Sequence, residues 1–276
     1  MISKLIYQAG MRDRYPSLMT QLEALLESDH WSYQQLENLQ LKRLQELLVF
    51  AESHSPFYTA LFNKCNFNPR KVQSIKDLKQ LPSIEKSTLI LHKEDIQSRA
   101  NFKRLRLSET SGTTGQPLSI YRSEEWDSGT RAAMFRGYQW YKVNPWDRNG
   151  YLWGYNIDPK EARKIKFLDS LQNRFRLFSY SEEEIENFCK KLKKATFLSG
   201  YSSMIYEVAK IINSLGLSRQ FPRLKMIKGT SEKIFPAYQE EVQKAFGMKI
   251  ISEYGSMESG IIAYECPEGG NMHIAM

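Results

Sequence analysis

Strand-like and helix-like segments alternate in the last third of the chain, and this alternation restricts the possible folds more than any other feature. Three apolar runs, Ala195–Leu198, Leu224–Ile227 and Met248–Ile251, have the length of buried strands. The helical segments between them end at Gly216 and Gly247, which suit the left-handed position after a helix. Strands joined by helices lie parallel in one sheet, with right-handed crossovers. The sequence therefore predicts an α/β fold with a parallel or mixed sheet flanked by helices.

Each predicted strand leads into a polar segment that contains glycine. These segments are Ser199–Ser203, Lys228–Glu232 and Ser252–Glu258. The carboxyl ends of parallel strands meet at one edge of a sheet, where open α/β sheets bind ligands. Ordinary turns use the same residue types, but here the topology brings three such segments to one edge. The arrangement favours a ligand-binding site over three unrelated turns.

A fourth polar segment, Ser108–Pro117, is rich in hydroxyl side chains and contains two glycines. It lies between two predicted strands, Arg104–Leu107 and Leu118–Tyr121. Hydroxyl groups and flexible backbone N–H groups at this density suit a phosphate or another anion. A polar hairpin loop has the same composition, so the segment alone leaves both interpretations open.

The chain has 276 residues, enough for one large domain or two smaller ones. We expect residues 1–100 to be mainly helical and residues 101–276 to contain the anion-binding segment and the sheet. Apolar residues at helical spacing predict that residues 13–55 are helical, ending at Ser55-Pro56.

Basic residues outnumber acidic ones, with 39 Lys and Arg against 31 Asp and Glu, for a formal net charge of +8. This charge is compatible with an anionic small molecule, an anionic membrane surface or nucleic acid. The basic residues are scattered and form no nucleic-acid-binding motif, so we expect no nucleic-acid partner. No apolar run reaches transmembrane length. Three widely spaced cysteines, Cys65, Cys189 and Cys266, are typical of reduced thiols in the cytoplasm.

Three segments together resemble the nucleotide motifs of the adenylate-forming (AMP-forming) acyl ligases. Thr110–Pro117 is similar to their phosphate loop, Gly229–Glu232 to their adenine-pocket loop, and Tyr254–Glu258 to their Tyr-Gly-x-x-Glu motif. Any one of them is a weak signal, whereas the three in this order are specific.

The closer resemblance is to the phenylacetate–CoA ligase branch, with its coenzyme F390 synthetase-like and CapK capsule-biosynthesis members. Ala51–Tyr58, Leu78–Lys86 and Ser199–Ser203 carry this finer resemblance. It implies the large N-terminal domain of an adenylate-forming enzyme. It also implies a reaction in which a carboxylic acid attacks the α-phosphate of ATP, and a thiol, usually CoA, then displaces AMP. A role in capsular or surface polysaccharide synthesis is one possibility that the CapK members suggest.

The resemblance also implies roles for individual residues. The residues implied to contact the ATP phosphates are Thr110, Ser111, Gly112, Thr113, Thr114 and Gly115. Those implied to border the adenine or the adenylate are Gly229, Thr230, Ser231, Glu232, Tyr254, Gly255, Ser256 and Met257. Glu258 would hold Mg²⁺, a cation that prefers carboxylate and phosphate oxygens. Glu258 and Thr113 are the residues expected to act in catalysis.

Two features leave alternatives open. Cys266 and His273 could be half of a zinc site, but no further ligands follow them, and a buried thiol and a hairpin histidine explain them better. The acid pocket is expected near the helix over residues 123–141 and the strand end at 150–156. Trp126, Phe135, Trp153 and Tyr155 are candidates to line it, although core packing also explains these aromatic residues.

The sequence departs from the family pattern because it stops at Met276. Family members continue with an Asp-containing ribose loop, a hinge and a small C-terminal lid domain with a catalytic lysine. We therefore expect a truncated chain without the lid domain, and nucleotide affinity that outlasts turnover. The alternative to an enzyme is a catalytically incomplete nucleotide-binding remnant or partner-binding module. A homodimer is possible, because dimers are common in this branch.

Overall fold

The computed structural model of the protein describes residues 2–109, 117–153 and 159–275. Its α-helices in these residues are α1 (Ile2–Arg14), α2 (Leu18–Ser28), α3 (Tyr33–His54), α4 (Pro56–Lys64), α5 (Lys86–Leu91), α6 (Lys93–Ile96), α7 (Glu124–Trp140), α8 (Pro159–Leu171), α9 (Glu182–Leu192), α10 (Ser202–Ser214) and α11 (Pro236–Phe246). Its strands are β1 (Leu105–Glu109), β2 (Ser119–Ser123), β3 (Asn149–Leu152), β4 (Arg174–Arg176), β5 (Phe197–Tyr201), β6 (Met226–Thr230), β7 (Ile250–Ser256), β8 (Gly260–Glu265) and β9 (Met272–Ile274). Short 3-10 helices cover Pro69–Lys71 and Ile75–Gln80.

The chain forms two compact units. The larger contains the residues through Leu22 together with Ser128–Ala275, and the smaller contains Glu23–Asp127. In the described part of the chain, no helix is both long and apolar enough to span a membrane.

The smaller unit is mainly helical. Its core is formed by Leu48, Phe62, Phe67 and Val72, which are all buried. The helix α3 begins at a reciprocal capping box, in which the Ser32 hydroxyl accepts from the backbone N–H of Gln35 and the Gln35 side chain accepts from that of Ser32.

The helical character predicted for residues 13–55 is confirmed, but the region is three helices rather than one. Pro16 follows the end of α1, and Ser32 starts α3 as its N-cap. Ser55 then ends α3 and caps α4, since its side chain accepts from the backbone N–H of Tyr58. Proline and capping side chains therefore divide an amphipathic region that spacing alone reads as continuous.

The two strands predicted on either side of the hydroxyl-rich segment form a hairpin. β1 pairs with β2 antiparallel, with Glu109 opposite Ser119. The Ser119 hydroxyl donates to the Glu109 carboxylate at 2.9 Å, which links the two strands at the end where the segment begins. Residues 110–116 lie outside the described residues.

The larger unit contains a seven-stranded sheet in the order β4-β3-β5-β6-β7-β8-β9. The first five strands are parallel, and β8 and β9 continue the sheet antiparallel. The predicted α/β fold with a mixed sheet flanked by helices is thus confirmed.

Alternate residues of the strands face opposite sides of this sheet. On one side Leu198, Ile227 and Ile250 join a core with residues of α9, α10 and α11. On the other side Phe197 and Met226 pack with Tyr138 of α7. This second side is only partly filled by apolar side chains, and the candidate site lies here and along the carboxyl edge.

The three predicted strands exist, but each begins and ends later than its apolar run. Gly200 and Gly229, expected in loops, are strand residues. A Cβ at Gly200 would lie 2.3 Å from the backbone oxygen of Leu152, and one at Gly229 would lie 2.6 Å from the hydroxyl of Ser202. These glycines are therefore required for close packing between neighbouring segments, rather than for turns.

Candidate functional site

The loop after β6 is fixed to the start of the preceding helix. The hydroxyl of Ser202 donates to the backbone oxygen of Glu232 at 3.3 Å, and the backbone N–H of Ser203 donates to the Glu232 carboxylate at 2.8 Å. Ser231 has a φ of 66°, in the left-handed region that a non-glycine residue adopts at a cost. The contacts of Glu232 hold this strained loop at the carboxyl edge of the sheet.

The segment Tyr254–Glu258 has a different structure from the predicted strand-end loop. β7 continues to Ser256, and it pairs with β8 through a bulge between Tyr254 and Gly255. A Cβ on Gly255 would lie 2.4 Å from the backbone oxygen of Gly260, so only glycine allows this pairing. The turn that contains Glu258 follows, at the tip of an exposed hairpin. The expectation of a loop from Ser252 was wrong because antiparallel pairing with β8 extends the strand.

A cavity of about 640 Å³ opens at the carboxyl edge, and we call it the edge cavity. It is lined by Ser231 and Glu232 from the loop after β6 and by Tyr254 and Gly255 from β7. Two of the three segments predicted to converge therefore share one cavity. Tyr254 is 59% exposed, so its ring is available to a ligand.

Carboxylates dominate the charge of the edge cavity. Among the described residues, Glu232, Glu253 and Glu265 line it, and Lys233 is the only cation in the lining. The Glu265 carboxylate accepts from the backbone N–H of Ser252 at 2.8 Å, and its burial raises its pKa although this bond acts in the opposite direction. Acceptors of this kind suit hydroxyl and amino donors and disfavour phosphates.

A second cavity, of about 520 Å³, lies against the sheet face that carries Phe197, and we call it the sheet-face cavity. Its walls come from α1, α7, α8 and the strands β3 to β7. Glu253 lines both cavities. The two cavities are therefore neighbours across one strand.

A buried ion pair forms part of the wall of the sheet-face cavity. The ammonium of Lys228 donates to the carboxylate of Glu253 at 2.6 Å, and each side chain is only 7% exposed. Burial by itself lowers the pKa of Lys228, but the charge of Glu253 and the neighbouring Tyr138 outweigh it and raise the pKa. Lys228 is therefore charged at neutral pH.

Aromatic rings form another part of this wall. Trp153 stacks on Tyr201 with 4.1 Å between ring centroids and lies parallel to Tyr151 at 6.3 Å. The guanidinium of Arg174 lies over Tyr151, 4.2 Å from the ring centroid. The cavity thus combines flat apolar surfaces with fixed charges, an arrangement typical of small-molecule sites.

The predicted site residues are only partly brought together. Ser231, Glu232, Tyr254 and Gly255 line the edge cavity, and Thr230 lines the sheet-face cavity. Predicted residues that line neither cavity are Gly229, Ser256, Met257 and Glu258. The phosphate-loop residues Thr110, Ser111, Gly112, Thr113, Thr114 and Gly115 lie outside the described residues.

The four aromatic residues that are candidates for an acid pocket lie in different places. Trp153 lines the sheet-face cavity, whereas Phe135 is buried against Tyr7. Trp126 belongs to the smaller unit, where the guanidinium of Arg122 lies over its ring, and Tyr155 is among the residues not described.

The structure offers few groups for a metal ion. Within the described ranges, no three His, Cys, Asp or Glu side chains are grouped so that they could hold one. The thiol of Cys266 accepts from the backbone N–H of Glu268, and His273 packs edge-on against Trp140. Zinc at Cys266 and His273 stays an untested prediction. The single exposed carboxylate of Glu258 fits Mg²⁺ only when phosphate oxygens supply further ligands.

Comparison with known proteins shows a similarity in fold to solved structures. Neither a protein-family model nor a curated protein matches the chain. An open form of 2-hydroxyisobutyryl-CoA ligase, in complex with 2-HIB-AMP and CoA, matches with a TM-score of 0.65 and 17% identity, over 86% of this chain and 54% of its own. The same ligase in the thioesterification state matches with a TM-score of 0.67 and 18% identity, over 87% and 54%.

The chain has the fold of about half of an acyl-CoA ligase. At such low identity the likeness establishes the fold and not the chemistry. It agrees with the architecture expected from the three nucleotide motifs, and it leaves the activity of the chain to be proposed from the site itself.

Sequence reasoning missed Lys228, Glu253 and Tyr138. A signal was present, because Lys228 directly follows two apolar residues of β6 and Glu253, of opposite charge, lies in the neighbouring strand β7. Their pairing depends on the register of β6 and β7, which the sequence does not give.

Proposed function

We propose that this chain binds ATP and a carboxylic acid and takes part in forming an acyl adenylate, from which a thiol such as CoA displaces AMP. The observation that carries the proposal is the edge cavity, which Ser231 and Glu232 share with Tyr254 and Gly255. These residues come from two distant segments that sequence resemblance independently assigned to one nucleotide.

The chemistry of the edge cavity supports adenosine rather than phosphate as its occupant. Its carboxylates can accept hydrogen bonds from the amino group of adenine and the hydroxyls of ribose. Tyr254 offers an exposed ring on which a base can stack. A triphosphate would be repelled by the same carboxylates, so we assign the phosphates to residues 110–115.

The sheet-face cavity is proposed to hold the acid. It adjoins the edge cavity at Glu253, and Thr230, the last residue of β6, lies at its outer end. The reacting carboxylate is placed near Thr230 and the rest of the acid along the aromatic wall. Burial in this cavity excludes water, which would otherwise hydrolyse an acyl adenylate.

The proposed reaction requires the negative charges of acid and ATP to approach each other. Backbone N–H groups and hydroxyls of residues 110–115, with Thr113 among them, would stabilise charge on the departing pyrophosphate. Mg²⁺, when bound at Glu258, would neutralise phosphate charge. We propose an enzyme of the phenylacetate–CoA ligase type, in the sense of the branch and its reaction and without phenylacetate as the assigned acid. A role in capsule or surface polysaccharide synthesis is the most specific form of this proposal.

ATP binding tests the assignment of the edge cavity. We expect Tyr254→Ala to weaken ATP and AMP binding roughly five- to hundredfold in isothermal titration calorimetry, the usual effect of losing an aromatic partner of a base. Tyr33→Ala is the matched control, because Tyr33 is 79% exposed and lines neither cavity. Equal affinity for ATP in the two variants would exclude the edge cavity as the adenosine site.

Turnover separates an enzyme from a protein that only binds nucleotide. An acid-dependent exchange of labelled pyrophosphate into ATP supports the ligase. Binding of ATP without exchange for any carboxylic acid supports a nucleotide-binding module with no turnover. Glu258→Ala should lower the exchange rate, and a rate unchanged by that substitution would rule out its proposed role with Mg²⁺.

A further inference from the structure

The inner end of the sheet-face cavity is unusually polar for a pocket that receives a hydrophobic acid. Arg174 and Phe197 are the first residues of their strands, so they lie at the end opposite to Thr230. Tyr138 packs on Phe197 with 5.2 Å between the ring centroids. The ammonium of Lys228 lies over the ring of Tyr138, 5.5 Å from its centroid. Tyr138 and Arg174 therefore lie at the inner end of the cavity, away from the nucleotide edge. The Lys228–Glu253 pair lies closer to that edge, because Glu253 is opposite Thr230 in the sheet.

Two phenol groups at this end are permanent hydrogen-bond donors at neutral pH. Tyr7 and Tyr138 both line the cavity and are both buried. Burial raises the pKa of Tyr7 to about 12, and it also raises that of Tyr138. Each hydroxyl can thus donate to an oxygen atom of a ligand.

The charge of the cavity lining is positive. Its cations are Arg14, Arg131, Arg174 and Lys228, and its only carboxylate among the described residues is Glu253. The guanidinium of Arg131 is held over the ring of Tyr15, 4.2 Å from its centroid.

An acid with an apolar far end would bind weakly in this cavity. An alkyl or phenyl group placed against the two phenols and the Lys228–Glu253 pair would remove water from them and offer no hydrogen bond in return. A group with acceptor oxygens would replace that water and would also meet a positive potential.

Resting on the proposed function, we propose that the acid bound here carries an oxygen function at its far end, as a ketone or a second carboxylate, and is not a plain alkyl or phenyl acid. Tyr7 and Tyr138 recognise that oxygen. Arg131 and Arg174, whose charges both act on Tyr7, supply positive charge that favours a carboxylate there.

Three five-carbon acids test the proposal on the full chain: pentanoate, 4-oxopentanoate and pentanedioate. Binding is measured by ligand-observed NMR titration. We expect at least one of the two oxygenated acids to bind about tenfold or more tightly than pentanoate. Tighter binding of pentanedioate than of 4-oxopentanoate identifies a second carboxylate as the recognised group, and the reverse order identifies a neutral carbonyl.

Removing the hydroxyls identifies the residues responsible. Tyr7→Phe and Tyr138→Phe are each expected to reduce, at least threefold, the ratio of the pentanoate dissociation constant to that of the oxygenated acid. Tyr141→Phe is the matched control, because its hydroxyl donates to the backbone oxygen of Glu265 and it does not line the cavity. Circular dichroism of each variant confirms that it is folded.

Two results would overturn the proposal: pentanoate binding as tightly as both oxygenated acids, or a preference that neither tyrosine substitution alters. An ATP titration separates this outcome from failure of the proposed function. ATP binding without acid preference refutes only the inference. Acid preference without ATP binding supports the inference about the cavity and refutes the adenylate-forming role.

Discussion

Replacing Lys228 by methionine would leave the carboxylate of Glu253 buried without its partner. The pair is short, at 2.6 Å, and both side chains are only 7% exposed. Breaking one side of a buried pair typically costs about 3–5 kcal/mol, because the remaining charge has lost both water and its counterion. The stability of a whole domain is only about 5–15 kcal/mol, so Lys228→Met should strongly lower the urea midpoint.

The double variant Lys228→Met, Glu253→Leu should recover most of this loss. Replacing both partners by apolar side chains leaves no buried charge, and such exchanges are often neutral or stabilising. We expect the double variant to lie within about 1 kcal/mol of the original protein. Urea unfolding followed by circular dichroism and tryptophan fluorescence gives the free energy of each of the four proteins in the cycle.

A surface ion pair provides the matched control. Lys210 and Glu207 are 3.1 Å apart, but their side chains are 47% and 48% exposed. Lys210→Met should leave the urea midpoint nearly unchanged, since water already screens that pair. A similar cost for the two lysine substitutions, or a double variant no more stable than Lys228→Met, would refute the reasoning about burial.

Further substitutions test the packing and protonation of the larger unit. Gly200→Ala should destabilise the protein in urea unfolding, because the added Cβ would meet the backbone oxygen of Leu152. Gly10→Ala is the control: Gly10 lies in a helix with open space around it, so this substitution should stabilise the protein by up to about 1 kcal/mol. Equal effects of the two substitutions would contradict the strand packing. Burial raises the pKa of the Cys189 thiol to about 11. Iodoacetamide at pH 8 should therefore label Cys189 more slowly than Cys65 and Cys266. Equal labelling rates, measured by mass spectrometry, would contradict the burial of Cys189. Burial also raises the pKa of Tyr7 from about 10 to about 12. The folded state therefore holds the phenol proton more tightly than the unfolded state, and the resulting stabilisation, roughly 2–3 kcal/mol, is present below pH 10 and lost between pH 10 and 12. Tyr7→Phe should reduce this loss of stability in urea titrations, and an unchanged pH dependence of stability would contradict the burial of Tyr7.

Much of the architecture is readable from the sequence because local patterns determine it. The periodicity of α9, with Ser181 as its N-cap, and the glycines after α10 and α11 place these helices correctly. The alternation of helices with apolar runs correctly gives parallel strands β5, β6 and β7. Capping, period and connection length are properties of short segments, so sequence alone reveals them.

Strand ends and side-chain partners depend on neighbours that are distant in the chain. The sequence suggests turns at Gly200 and Gly229, but contacts from adjacent strands and helices place both glycines inside strands. Tyr254 belongs to a strand because it pairs with β8, and no local pattern in the sequence indicates that antiparallel pairing.

The sequence by itself determined the α/β class, the order of its elements and the convergence of polar segments at one edge of a sheet. Only the tertiary structure decided which of those segments share a cavity, and that the carboxylate of a buried charged pair lines both cavities. The physical reason is register: whether Lys228 meets Glu253 depends on how β6 and β7 align. That alignment results from packing over the whole sheet and is not encoded in either strand alone.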